Sequence, residues 1–498
     1  MTSVLALDAG TTGVRALIVG DDARIHATGY REFAQHFPQP GWVSHDAEEI
    51  WDAILAATEE CLETARLRAS DIAAIGITNQ RETAVVWDRA TSKPIANAIA
   101  WQCRRTAGRC DELKKAGHEP RIRELTGLVA DAYFSGTKVE WLLDNVEGAR
   151  QRAERTGELA FGTIDSWLVW KLTGGAVHAT DVSNASRTML YDIHRLEWSN
   201  ELCNLLRVPT NILPEVRPSS GRFGVTDPKS FLGASLPVSG IAGDQQAALF
   251  GQGCYEAGRS KNTYGTGSFL LFNSGNYPPP IEEGLLSTVA WTIDGRTTYA
   301  LEGAIFVTGA ALNWLRDGLG IIDDFAKAEP LASSVEDTDG VVFVPALTGL
   351  GSPYWDPYAR GTIVGLTRGT KKEHLIRAAI EAMAHQSQDV LEAMAKATGS
   401  APTELRVDGG AVRMDLLCKL QADLSQIPVL RPVVRETTAL GAAFLAGLAE
   451  GVWDGFDALE RAWGLDRRFE PMMDAGTRAE ERNRWTRAVE RSRSWAVD

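Results

Sequence analysis

Cysteine is scarce in this 498-residue chain: six residues, at positions 61, 103, 110, 203, 254 and 418. None forms a Cys-x-x-Cys pair, and so sparse a set excludes a disulfide framework. A reducing, cytoplasmic setting is the expectation. Positive charge is also in deficit, with 51 Lys and Arg against 65 Asp and Glu, a net charge of −14. That excludes a nucleic-acid partner or an anionic membrane surface recognised by charge. No apolar run reaches about 18 residues, so no membrane insertion is expected. The stretch up to Asp8 lacks a basic region and meets a carboxylate early, unlike a secretory leader. The eight His show no metal-ligand spacing. A Gly-x-Ser-x-Gly elbow and a Walker Gly-x-x-x-x-Gly-Lys-Ser/Thr loop are both missing. A phosphate ligand would therefore depend on local devices: helix N-termini, backbone amides or a divalent cation.

What is there reads as α/β. Apolar residues make up 44% and charged residues 23%, the balance of a globular chain whose length predicts two to four domains. Val4 to Leu7 is a short apolar run ending at Asp8, then a Gly/Thr turn at 9–13, then a second run from Val14 to Val19. This predicts strand, turn, strand. Asp46, with Glu49 three residues on, predicts a capping box opening a helix through Ile50, Ala53, Ile54, Ala57 and Cys61. Ile72 to Thr78 predicts a buried strand running into Asn79, Gln80, Arg81 and Glu82. The opening pattern returns at Thr263 to Ser268, followed by Phe269 to Phe272. We read this as a diverged duplication giving two α/β domains, 1–252 and 253–498, with a ligand between them. Glu404 to Val407 predicts a strand leading to the turn Asp408-Gly409-Gly410, with a helix following through Leu416, Leu417, Leu420 and Leu424. Arg377 to Thr398 predicts a helix closed by Gly399. The Ala/Gly-rich stretch from Thr438 to Gly451 predicts a helix packed very closely on its neighbour.

Three turns rich in Gly are candidate phosphate contacts, because glycine lets backbone N–H groups approach an anion. Arg15 adds a fixed charge beside the first. Asp8 stands where a carboxylate can hold Mg²⁺, or can simply satisfy amides of its own turn. Arg81 and Glu82 end a strand, where α/β folds bind ligands. Together they offer donors and acceptors for a polyhydroxyl compound, or form a surface ion pair. Asp244 is a helix N-cap or a general base. Trp101, Tyr133 and Phe269 lie near these motifs in sequence, with ordinary packing as the alternative.

The segments Asp8–Thr12, Gly76–Thr83, Trp101–Thr106, Tyr133–Lys138, Gly240–Gln246, Asn262–Gly267, Tyr354–Gly361 and Arg406–Gly410 closely resemble the carbohydrate kinases of the FGGY family, in its glycerol-phosphorylating branch. The match runs in order through nearly the whole chain. It implies two duplicated actin-like, ribonuclease H-like domains with a nucleotide and substrate cleft between them. It implies ATP and glycerol as ligands, Mg²⁺ as cofactor, sn-glycerol 3-phosphate and ADP as products, and a homo-oligomer, dimer or tetramer. By the same resemblance Arg81, Glu82, Trp101, Tyr133, Asp244, Gln245 and Phe269 meet glycerol, and Asp244 is the base. Thr11, Thr12, Gly13, Arg15, Thr266, Gly309, Asn313, Gly410 and Met414 stand at nucleotide positions, with Asp8 and Asp244 at the metal. Four positions depart from the family pattern. Ala9 replaces a usual Gln, Gly13 a frequent Ser, and Asn313 a common Gln. Met414-Asp415 replaces Asn-Asn, which implies that position 414 either does not touch the nucleotide or touches it only through apolar atoms. The segment Asp227–Pro237 lacks the Arg and His on which two regulatory inputs of other members depend, so neither is expected here.

Overall fold

The computed structural model describes residues 2–155 and 157–496. Two sheets organise it. The first takes strands β1 (Ser3–Ala9), β2 (Gly13–Gly20), β3 (Ile25–Glu32), β4 (Ile72–Asn79), β5 (Ser220–Val225) and β6 (Pro237–Gly243), in the order β5-β6-β4-β1-β2-β3. The second takes β7 (Arg259–Tyr264), β8 (Ser268–Gly275), β9 (Leu286–Ile293), β10 (Arg296–Ile305), β11 (Glu404–Asp408), β12 (Val429–Pro432) and β13 (Leu465–Phe469), in the order β9-β10-β8-β7-β11-β12-β13. In each, an antiparallel hairpin, β1–β2 or β7–β8, is continued by a parallel neighbour, β4 or β11. The duplicated actin-like topology expected from the two Gly/Thr turns is therefore present, with one turn at the tip of each hairpin.

Both faces of the first sheet are covered at its centre, which is why β1, β2, β4 and β6 are buried almost throughout while the edge strands β3 and β5 are not. Side chains alternate across a strand, so Leu5 and Leu7 face a core with Ile50 and Ile54 of α1 (Ala47–Ala65). Val4 and Ala6 face the opposite way, onto Ala439 and Ala443 of α7 (Thr437–Ala449). Between these two in sequence, the helices that bear on the site are α2 (Ser135–Asn145), α3 (Asp244–Gly251), α4 (Gly309–Asp317), α5 (Lys372–Thr398) and α6 (Asp415–Ser425). Helix α7 belongs to the second half of the chain yet roofs the first sheet. It can do so because the seam is built from small residues. A Cβ on Gly441 would lie 1.9 Å from the Ala247 carbonyl oxygen, and one on Gly251 would lie 1.9 Å from that of Thr437.

Two expectations are corrected. Glu49 does not close a capping box: the Asp46 side chain accepts from the Glu48 amide, while Glu49 accepts from the Ala34 amide across a loop. Helix α5 begins at Lys372 rather than Arg377: its opening Lys372-Glu373-His374 is polar, while the apolar periodicity already starts at Ile376. No helix of the described residues is long and apolar enough to cross a membrane.

Candidate active site

The first hairpin turn is braced from behind. Gln35 Nε2 donates to the Thr11 carbonyl at 2.6 Å and Gln80 Nε2 to the Gly10 carbonyl at 3.0 Å, while the Gln80 amide donates to the Ala9 carbonyl. Buried His45 links the two glutamines, with Nε2 3.0 Å from Gln35 Oε1 and Nδ1 3.2 Å from Gln80 Nε2. Burial holds the His45 pKa down at about 4, so it stays neutral and can donate at one nitrogen and accept at the other. The carbonyls of residues 9–11 are thus occupied by the protein's own donors. Asp8 is the penultimate residue of β1, and burial pushes its pKa up to about 7 against the pull of Arg15. Arg15 Nη1 stands 3.9 Å from Asp8 Oδ2 and 3.3 Å from Glu436 Oε2 of the second half. Gly13 has a local reason to be glycine: a Cβ there would lie 2.7 Å from both the Arg31 carbonyl oxygen and the Tyr30 hydroxyl. Thr12 is exposed at the turn's tip.

A second group gathers at the end of β4. Arg81 is 2% exposed; the four N–H groups of Nη1 and Nη2 donate hydrogen bonds, and Nε forms an ion pair. Nη1 reaches Glu302 Oε2 at 2.5 Å and Gln246 Oε1 at 3.3 Å. Nη2 reaches Glu302 Oε1 at 3.1 Å and the Tyr133 hydroxyl at 3.3 Å. Nε stands 3.0 Å from Asp244 Oδ1. Arg187, fully buried, donates from Nε to Glu82 Oε1 at 2.7 Å and from Nη2 to Glu302 Oε1 at 3.0 Å. Glu82 occupies the left-handed region, with φ of 61°. Its carbonyl is captured by Ser135 Oγ at 3.0 Å and Lys138 Nζ at 3.1 Å, both on α2, and Lys138 also donates to the Tyr133 carbonyl. Burial raises the pKa of Glu82 against the two guanidinium groups. Burial also works against charge on Glu302, but Arg187 and Arg81 outweigh it and hold its pKa at about 2.

Asp244 is the first residue of α3, and Gly243 is the cap. Its side chain, 30% exposed, accepts the Gln245 amide at 2.7 Å and the Arg81 ion pair. Burial raises its pKa, opposed by Arg81 and Lys261. This corrects the N-cap alternative. Lys261, buried on β7, donates to Gln245 Oε1, to Thr263 Oγ1 and to the Phe269 carbonyl. The rings of Trp101 and Tyr133 meet edge-on at 5.6 Å, and those of Trp101 and Phe269 at 6.5 Å. Trp101 Nε1 donates to Thr11 Oγ1 at 2.9 Å, so the aromatic wall touches the first turn.

The second turn sits on the start of α4. The amide of Gly309 donates to the Gly265 carbonyl, and those of Thr308 and Ala310 donate to Thr266. Asn313 lies one helical turn beyond Gly309, half-buried. Gly410 faces open space and is exposed. Met414 is buried in the second core, with its side chain packed among apolar neighbours. Asp415, beside it, accepts from Arg431 at 2.9 Å.

The first turn is hydrogen-bonded to the aromatic wall of the polar group, and Phe269 of that wall directly follows the second turn. The FGGY carbohydrate kinase N-terminal domain matches residues 3–251, and the C-terminal domain of the same family matches residues 260–450. The chain is an FGGY carbohydrate kinase. It is similar to the glycerol kinase of Carboxydothermus hydrogenoformans, 59% identical over 495 residues, and to that of Bacillus cereus, 56% identical over 492, each match covering 99% of both chains. Among solved structures it is similar to Plasmodium falciparum glycerol kinase with ADP. There the TM-score is 0.93 at 33% identity, covering 99% of this chain and 98% of that one. Several side chains of this FGGY site were not singled out from sequence: Arg187, Lys261, Glu302, Lys138 and the Gln35–His45–Gln80 brace. Glu302 had a signal, a lone charge inside an apolar strand, which is rare unless paired. Lys138 and Lys261 lay within or beside recognisable motifs. Arg187 carried none.

Proposed function

We propose that the protein transfers the γ-phosphoryl group of ATP to a primary hydroxyl of glycerol, giving sn-glycerol 3-phosphate and ADP. The observation that carries the reading is one connected group. Arg81, Glu82, Tyr133 and Asp244 are linked by hydrogen bonds and ion pairs, and their aromatic wall is hydrogen-bonded to the first Gly/Thr turn through Trp101. Glycerol's hydroxyls fit Arg81, Glu82, Asp244 and Gln245, and its carbons fit Trp101, Tyr133 and Phe269. A site built on paired donors and acceptors rejects analogues that lack a hydroxyl.

Asp244 accepts the proton of the attacking hydroxyl. Its raised pKa makes it a better base than an ordinary carboxylate. Phosphoryl transfer depends mostly on positioning and charge stabilisation. The amides of residues 10–13 meet the phosphates from one half, while Thr266 and the start of α4 at Gly309 meet the nucleotide from the other. Arg15 lies beside the first turn as a fixed positive charge. Asp8 and Asp244 fit Mg²⁺: both are carboxylates at the cleft, and Asp8 is driven toward protonation by burial when no cation neutralises it. Such a pair suits an ion that takes few protein ligands and completes its shell with water and phosphate oxygens. Bound there, Mg²⁺ would neutralise phosphate charge. The lobes 1–252 and 253–498 close on the ligands. Six free, buried cysteines support a reducing cytoplasm, and the enzyme acts as a homo-oligomer. A coupled ADP-release assay with and without glycerol tests the reading. Turnover that ignores glycerol, or that favours another polyol, sinks it.

A further inference from the structure

Glu302 lies in the middle of β10, in the second half of the chain, yet its carboxylate is buried among side chains of the first half. We propose that Glu302, supported by Arg187, is the positioning residue that fixes the guanidinium of Arg81 for glycerol. The inference rests on the glycerol reading above and assigns a role to two residues that do not themselves touch the polyol.

The donor inventory of Arg81 carries the argument. A guanidinium has five N–H groups in a planar fork, so holding one edge sets the direction of all the others. Glu302 takes that edge through both carboxylate oxygens, at 2.5 and 3.1 Å. The groups left toward the cleft are Nε, against Asp244, and one N–H of Nη2, against the Tyr133 hydroxyl. Those two partners are the ones glycerol must compete with or join. Gln246 takes the remaining N–H of Nη1, and its own amide is tied to Thr288 Oγ1 at 3.0 Å.

Arg187 makes the arrangement sustainable. A buried carboxylate against one guanidinium needs its other lone pairs satisfied, and Arg187 supplies a second donor to Glu302 Oε1. It also holds Glu82 and lies over the Tyr133 ring, 5.6 Å from its centroid. Its Nη1 has no partner among the described residues. A buried orphan donor costs free energy, so a plain packing role explains Arg187 poorly. Two guanidinium groups keep Glu302 ionised throughout the working pH range. Without that anion, the nearest carboxylates to Arg81 are Asp244 at 3.0 Å and Glu82 at 3.9 Å, and the guanidinium would swing onto the base.

Glu302→Gln keeps the volume and one oxygen but removes the charge. The glycerol KM should rise at least about 10-fold, the scale of one charge-assisted hydrogen bond, while the ATP KM stays within about twofold. Discrimination between glycerol and the two propanediols should fall, since a loosened Arg81 no longer reads a hydroxyl sharply. Arg187→Lys keeps the charge but loses the fork, and should give a smaller change of the same kind. It serves as the working variant if Glu302→Gln does not fold. Equal rises in both KM values, or an unchanged glycerol KM, overturn the proposal. A crystal structure of either variant reads the same claim without turnover: the Arg81 guanidinium should leave its present plane and move toward Asp244. An unmoved Arg81 overturns the positioning role whichever polyol is phosphorylated, whereas wild-type enzyme inert toward glycerol overturns only the substrate.

Discussion

Asp244 has one oxygen against Arg81 and the next amide of its own helix, and its side chain still reaches the cleft. Asp244→Asn keeps the shape but cannot take a proton, so kcat should fall about 10²–10⁴-fold. Glycerol affinity by calorimetry should change far less. Because burial raises its pKa, the acid limb of the kcat profile should lie above the usual aspartate range, with activity lost as pH falls through it. A limb at or below about pH 4 would remove Asp244 as the base. Asp8 gives a second, opposite signature. Its carboxyl goes from 3.8 unfolded to about 7 folded, so between those values the folded chain binds the extra proton. Stability should therefore fall as pH rises across that window. Asp165 and Glu381, also pushed up to about 7 by burial, contribute the same slope. The difference in Tm between wild type and Asp8→Asn, measured in chelator, isolates Asp8, and MgATP should reduce it. Residues inside contiguous motifs, such as Arg81, Glu82 and Asp244, were legible in the sequence. Arg187 carried no signal, and the lone charge of Glu302 hinted at a partner without naming it, because their meaning lies in a contact between positions 115 residues apart.

At the scale of elements, the Ala/Gly run of α7 read correctly as a close-packed helix, but nothing in its own pattern says which sheet it roofs. That is fixed by tertiary fit: only small residues let α3, α7 and the first sheet approach so closely. Gly441→Ala should cost about 1–3 kcal/mol, the range for overpacking against unyielding backbone, and should lower Tm by several degrees in a thermal melt. A variant as stable as wild type would mean that the seam yields easily. The capping box misread at Glu49 has the same origin. A helix's first turn advertises its acceptors, yet a loop from elsewhere, here Ala34, can claim one of them. The 227–237 loop closes on itself through Thr226, whose hydroxyl donates to Ala234 and accepts from Leu236. With Lys229 as its one cation, millimolar fructose 1,6-bisphosphate should leave activity unchanged, as a titration of initial rates would show. Inhibition relieved by Lys229→Ala would reverse that expectation.

For the whole molecule, the proposed nucleotide turns lie in both halves, while the proposed polyol group draws Arg81, Glu82 and Tyr133 from the first and Phe269 from the second. Closure on the ligands would exclude water and limit idle ATP hydrolysis. The radius of gyration should shrink when glycerol and a non-hydrolysable ATP analogue are added together, and scattering of the saturated complex at an unchanged radius would count against it. The fold was legible at this scale chiefly through the ordered family motifs, with the returning Gly/Thr turn at 263–268 as a weaker sign of duplication. The crossing of α7 to the opposite lobe leaves none.

The bond from Trp101 to Thr11 has a thermodynamic corollary. One indole packs in the proposed glycerol wall and also bonds the proposed phosphate turn, so on that reading the two ligands share a structural element and their affinities are linked. Linkage requires reciprocity: the factor by which saturating glycerol tightens the ATP analogue must equal the factor by which the analogue tightens glycerol. Trp101→Phe keeps the wall and deletes the indole N–H. Both factors should then shrink together toward one, while each ligand alone retains most of its affinity.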